Sequence, residues 1–157
     1  MKTRLILGIF VVLILVVAAV FFVNFAVSNW SLPFFAPKSS VTIDGQTFHV
    51  KVATTEAEKE MGLSTTKSLP QDQGMIFVFN KADYYAFWMR NMHYPLDIIY
   101  IANKKIVSIA SDVKNPNNNQ PLPVYHPSSP ADTVLEINGG LSQKYGFKDG
   151  DSVSTSL

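Results

Sequence analysis

Leu5 to Val23 is an uninterrupted apolar run with no charge and only Gly8 as a small break, and it restricts this chain more than any other feature. An α-helix rising about 1.5 Å per residue crosses the roughly 30 Å hydrocarbon layer with about 20 residues. The run therefore predicts a transmembrane helix. A cleaved signal peptide is the competing assignment, but its apolar region is ordinarily about 7–15 residues long and ends in a small-x-small site. Residues 1–27 are thus assigned to an anchor, 28–40 to a linker and 41–157 to a folded domain. Lys2 and Arg4 precede the run and no basic residue follows it before Lys38, so the positive-inside rule places the N-terminus in the cytoplasm. The expected product is a single-pass cell-membrane protein that touches the bilayer through residues 5–27 and holds its C-terminal domain outside. Trp30, Pro33, Phe34, Phe35 and Pro37 suit a tether lying near the lipid headgroups.

Beyond Arg4 the remaining 11 basic residues face 12 acidic ones, a net charge of −1. That balance opposes a nucleic-acid partner. The absence of cysteine excludes disulfides, thiolate metal ligands and a cysteine nucleophile. About 115 residues remain for the domain, enough for one hydrophobic core.

The domain's apolar residues come mostly in short strand-length runs. Val41-Thr42-Ile43 and Thr47 to Val52 flank Asp44-Gly45, a pair suited to the positive φ angles of a tight hairpin. His49 lies on the polar side of that alternation and is expected in solvent. Thr55 with Glu58 forms a capping box ahead of a short helix that Gly62 closes in the left-handed conformation. Met75 to Phe79 is apolar at every position and predicts a central strand buried on both faces, with Tyr84 to Met89 paired beside it. Leu96 to Ile101 and Ile106 to Ala110 make a second hairpin. Lys114 to Pro130 holds five prolines and is expected to lack regular structure, either as a flexible loop or as an ordered rim over a cleft. Thr133 to Ile137 alternates as a strand, Asn138 caps a helix through Tyr145 that Gly146 ends, and Ser152-Val153-Ser154 is a last edge strand. Seven or eight short strands and two small helices predict a mainly β, β-rich α+β domain, a compact sandwich or partly closed barrel.

Six motifs occur in order: Met61-Gly62-Leu63, Gly74-Met75-Ile76-Phe77, Phe87-Trp88-Met89-Arg90-Asn91, Pro95-Leu96-Asp97-Ile98, Leu135 to Gly140, and Gly146 to Asp151. Together they make the chain resemble family 192 of the domains of unknown function over roughly Phe48 to Val153. The resemblance implies a compact, mostly β domain, often behind a signal sequence or membrane anchor, with no established activity. The family usually has lysine where this chain has Arg90. Some relatives carry cysteines where this chain has Asn117 to Pro121, which weakens any family-wide redox role for that loop.

Trp88, Arg90, Asn91, His93 and Asp97 share one strand-loop-strand, and Tyr125 and His126 are the contact candidates of the proline-rich loop. An aromatic face with polar neighbours suits a binding or accessory module for an envelope polymer, a peptide or a membrane-protein partner. No activated nucleophile, His-x-x-x-His spacing or phosphate cradle stands out, and neither a metal nor a cofactor is implied. The alternative is an envelope-acting hydrolase using Asp97 and His93. Asp97 enters a strand apolar on both faces, so it is either a ligand-facing group or a structural pin held by donors. Pinning is favoured, with the 91–94 amides, the Asn91 side chain and Arg90 as expected donors.

Overall fold

Asp44 and Gly45 take φ angles of 46° and 80°, the geometry of a tight primed turn, and so fold β1 (Ser40–Ile43) directly onto β2 (Gln46–Ala53). Asn103 and Lys104, at 51° and 59°, do the same between β5 (Leu96–Ala102) and β6 (Lys105–Val113). The computed structural model describes residues 39–116 and 121–157; the expected membrane run at 5–27 and the linker up to residue 38 lie outside them.

Between the hairpins, α1 (Glu56–Met61) carries β2 over to β3 (Gln73–Asp83), which runs parallel to it. The capping box is present. Glu58 accepts from the Thr54 hydroxyl (2.8 Å) and from the amides of Thr54 (2.9 Å) and Thr55 (3.0 Å), which hold its carboxyl down at about 2. Gly62 ends the helix at φ 51°, ψ −134°, a conformation open essentially to glycine alone, rather than in the expected left-handed helical geometry.

The main sheet runs β6-β5-β8-β3-β2-β1-β9, with β8 at Ala131–Asn138 and β9 at Val153–Ser156. Its two ends approach each other. The Gly150 amide donates to Ile106 (2.8 Å), Ile106 to Asp151 (3.0 Å) and Val153 to Lys104 (2.8 Å), and a bridge joins Lys105 to Ser152. The result is a curled half-barrel, the partly closed alternative among the sequence expectations. Val41, Phe48, Ile76, Ile99, Leu135 and Val153 belong to one buried cluster fed by every strand of this sheet, which only the inner face of the curl permits. A second cluster, with Met75, Phe77, Tyr100 and Val134, occupies the outer face of β3, β5 and β8.

That outer face is covered by the segment after Asp83, where the expectations need correction. Tyr84 to Met89 does not pair beside β3, because β2 and β8 already occupy both of its edges. Only Phe87–Trp88 is extended, as β4, and it pairs with β7 (Val124–Tyr125) in a separate two-stranded ribbon. The described part of the proline-rich loop therefore contains regular structure, confined to two residues between Pro123 and Pro127. Burial on both faces of β3 extends only through Phe77, and Val78 is exposed.

Asn138 does not cap α2 (Leu141–Tyr145). The helix begins after Gly140, which has φ 82°, without a local side-chain cap, while the Asn138 amide donates to the carbonyls of Leu69 (2.8 Å) and Pro70 (3.1 Å). Asp97 takes the capping role from a distance. It is 0% exposed, and its Oδ1 accepts from the amides of Asp112 (2.7 Å) and Gly140 (2.8 Å) and its Oδ2 from that of Ser142 (2.6 Å). Asp112 has φ 50° and lies in a bulge of β6 opposite Asp97. One carboxylate thus ties that bulge to the start of α2. Asp97 is held by donors, but they are not the 91–94 amides, Asn91 or Arg90.

Candidate functional site

On the outer face of the half-barrel, between the end of α1 and β4, lies a cavity of about 530 Å³. Its aromatic wall comes from Phe77 and Phe79 on β3, Tyr85 in the following loop, and Phe87 and Trp88 on β4. Period-two alternation turns Phe77 outward from the barrel. There it meets Phe87 edge-on at 5.1 Å, and Phe87 meets Tyr100 at 5.9 Å. Phe79 stacks on Tyr85 at 3.6 Å. The Tyr100 hydroxyl donates to the Tyr125 carbonyl (2.9 Å), tying the ribbon to β5 beneath it.

Two cations stand at the rim against ring faces. The Arg90 guanidinium is 5.4 Å from the Trp88 ring centroid, and the Lys59 ammonium is 4.9 Å from that of Phe79. Trp88 is 41% exposed. Asn91 also lines the cavity, and its φ of 59° identifies it as the residue that reverses the chain, a conformation asparagine tolerates.

The cavity also reaches Glu136 of β8, a residue that sequence reasoning missed. Glu136 sits between Met75 of β3 and Ile98 of β5 and is 5% exposed, and its Oε2 has no hydrogen-bond partner among the described residues. Burial pushes its carboxyl up to about 8, because the charged form loses its hydration and gains nothing in return. At neutral pH it is mainly a neutral acid, able both to donate and to accept. A Cβ at Gly62 would make only ordinary contacts, 3.8 Å from the Glu136 Oε2 and 3.7 Å from the Phe77 ring, so glycine is required there by its backbone conformation rather than by space. Burial also raises the hydroxyls of Tyr94 and Tyr100, which lie near Glu136, so both stay protonated. Tyr94 is held in place by the Thr66 hydroxyl, which in turn donates to Leu63 (2.6 Å).

A signal for Glu136 was present in the sequence. Leu135, Ile137 and Val134 surround it, so both faces of its strand are apolar, the same test that singled out Asp97. The sequence reads Thr133 to Ile137 as an alternating strand, whereas Val134 to Ile137 are all buried.

Of the sequence candidates, Trp88, Arg90 and Asn91 converge on the cavity. Tyr125 supports it from behind, through its pairing with Phe87. His93 is exposed and lines a different hollow of about 460 Å³ with Tyr94, Lys114 and Asn115. His126 is also exposed, its Nδ1 3.4 Å from the Tyr84 carbonyl. Asp97 lies on the opposite, inner face and is fully engaged by amides. The structure therefore does not assemble Asp97 and His93 into a pair. Among the described residues no three His, Asp or Glu side chains cluster as a metal would require.

The domain is thus a small β-rich curled half-barrel whose outer face carries an aromatic cavity beside a two-stranded ribbon. The chain belongs to family 192 of the domains of unknown function, described as "Uncharacterized ACR", which matches residues 39–155. Among solved structures it is similar to a protein of unknown function from Novosphingobium aromaticivorans DSM 12444, with 36% identity and a TM-score of 0.65 over 74% of this chain and 82% of that one. It is also similar to a protein from Sinorhizobium meliloti 1021 described as a "putative transcription regulator", with 25% identity and a TM-score of 0.65 over 74% of this chain and 91% of the other. No curated protein matches the chain.

Proposed function

We propose that this is a binding module, held outside the cell membrane by the anchor at 5–27, whose ligand is a small molecule or the end group of an envelope component seated in the aromatic cavity. The observation that carries the binding reading is a buried carboxyl, its Oε2 without a partner among the described residues, lining a cavity of about 530 Å³ walled by aromatic rings. Ligand sites are typically mostly apolar, a few hundred Å³ in volume, and supplied with a few polar groups. The location rests on the Leu5 to Val23 run and the basic residues before it. The net charge of −1 beyond Arg4 favours this reading over the nucleic-acid binding that the description of the Sinorhizobium protein would suggest. The separation of Asp97 from His93 favours it over the hydrolase.

The test uses the full-length chain in phosphatidylglycerol nanodiscs, melted in the presence of envelope sugars, peptides and small metabolites. A ligand at about 100 times its Kd stabilises by about 2.7 kcal/mol, a readily measured shift. Trp88→Ala, at a ring 41% exposed, should abolish that shift, read against the variant's own unliganded melt. If no compound gives a Trp88-dependent shift, the cavity is not the site. Protease added outside spheroplasts should digest the domain, and protection there would reject the topology.

A further inference from the structure

Glu136 is left without a counter-ion although two cations stand at the same cavity. Lys59 is paired with Glu56 at 2.9 Å and lies over Phe79, and Arg90 lies over Trp88. Neither forms an ion pair with Glu136, whose Oε2 has no donor among the described residues. A fold that needed this carboxyl only for structure would satisfy it, as Asp97 is satisfied by three amides on the other face of the sheet. Glu136 instead lines the cavity together with Phe77, Phe87 and Trp88. Aromatic walls around an acid form a cage for a cation, because ring faces carry negative quadrupole charge and a carboxylate supplies the full counter-charge.

We infer that the cavity binds a monovalent organic ammonium carried on an apolar body, its charge paired with Glu136 and its body against the rings of Phe77, Phe87 and Trp88. This rests on the cavity being the ligand site. Binding carries a proton balance: the Glu136 carboxyl gives its proton to solvent, the carboxylate pairs with the ligand, and the ligand remains an ammonium ion. The other titratable groups facing the cavity are Glu56, Lys59 and Glu60 from the α1 side and Tyr85 and Arg90 beside β4. Tyr94 and Tyr100 lie behind Glu136 and stay protonated.

Choline is the suitable probe, since its charge does not change with pH, and 3,3-dimethyl-1-butanol is its uncharged isostere. Both are titrated calorimetrically into the full-length chain in phosphatidylglycerol nanodiscs, with empty nanodiscs as the blank. With the Glu136 carboxyl at about 8, the competent ionised fraction grows between pH 6 and pH 8, so choline affinity should rise about 50-fold over that interval and level off above it. At pH 8 the isostere should bind at least about tenfold more weakly, since it forgoes the charged pair. Glu136→Gln should bind choline weakly with a flat pH profile. The wild-type profile and the isostere comparison stand even if that variant folds poorly. A flat wild-type profile, an isostere that binds as well as choline, or no choline binding at millimolar concentration would each overturn the cation. An isostere that binds as tightly as choline, and loses that binding in Trp88→Ala, would do so while leaving the cavity as a ligand site. If neither probe binds, the cation fails and the wider compound screen decides the cavity separately.

Discussion

Asp97→Asn should be among the most damaging single-atom changes available in this domain. The wild-type carboxylate accepts three amides, two at Oδ1 (from Asp112 and Gly140) and one at Oδ2 (from Ser142, 2.6 Å). Asparagine has one acceptor oxygen. In the orientation that keeps that oxygen on Asp112 and Gly140, the new NH₂ faces the Ser142 N–H, donor against donor. Two charge-assisted bonds then become neutral ones, each losing about 1 kcal/mol, and one buried N–H is left unsatisfied at about 1–3 kcal/mol. The flipped orientation sacrifices two amides and is worse. The expected loss is therefore roughly 3–5 kcal/mol, a large part of the roughly 5–15 kcal/mol that holds a typical domain together. The loss is large because the partners are backbone amides that cannot turn away. Urea denaturation of the full-length chain, with fluorescence and circular dichroism required to coincide, measures it as a shift in midpoint at constant slope. A variant within 1 kcal/mol of its parent would refute the pin and the donor geometry together.

Ser142 offers a matched control, since it serves Asp97 only through its amide while its buried hydroxyl has no partner among the described residues. Ser142→Ala should be neutral or stabilising by about 1 kcal/mol, read in the same urea titration. Glu136 gives stability a pH dependence. Its folded value of about 8 lies above the ordinary glutamate value of 4.5, so the folded state binds more protons across that interval. Its contribution is full below about 4.5, falls as pH rises toward 8, and is flat well above that, a total on the order of 5 kcal/mol. Glu136→Gln should remove this slope and gain stability relative to wild type as pH rises, and parallel pH profiles for the two proteins would show that Glu136 is not buried as an acid. Gly74→Ala would place a Cβ 2.6 Å from the Glu136 carbonyl oxygen, so β8 must yield. A loss of about 1–3 kcal/mol is expected, and an unchanged melting temperature would contradict the β3–β8 packing.

Local chemistry determined a good part of this protein. Asp44-Gly45 specifies its turn through backbone sterics, Thr55 and Glu58 satisfy each other across three residues, and the apolar run at 75–79 called for a central strand, although only Met75 to Phe77 are fully buried in it. The same reasoning showed that Asp97 needed donors, because a carboxylate flanked by apolar residues on both faces has no water to turn to. It could not name them. Asp112, Gly140 and Ser142 lie 15, 43 and 45 residues further along the chain, and only the order of strands brings them together. Strand order also decided the fate of Tyr84 to Met89. With β2 and β8 on the edges of β3, that segment could only cross the sheet's outer face, and in doing so it roofed the cavity with Phe87 and Trp88. Glu136 shows the limit most plainly. Its neighbours read as an alternating strand, but β8 lies between β3 and β5 with both faces covered, and whether a face is covered is a property of what packs on it rather than of the strand itself.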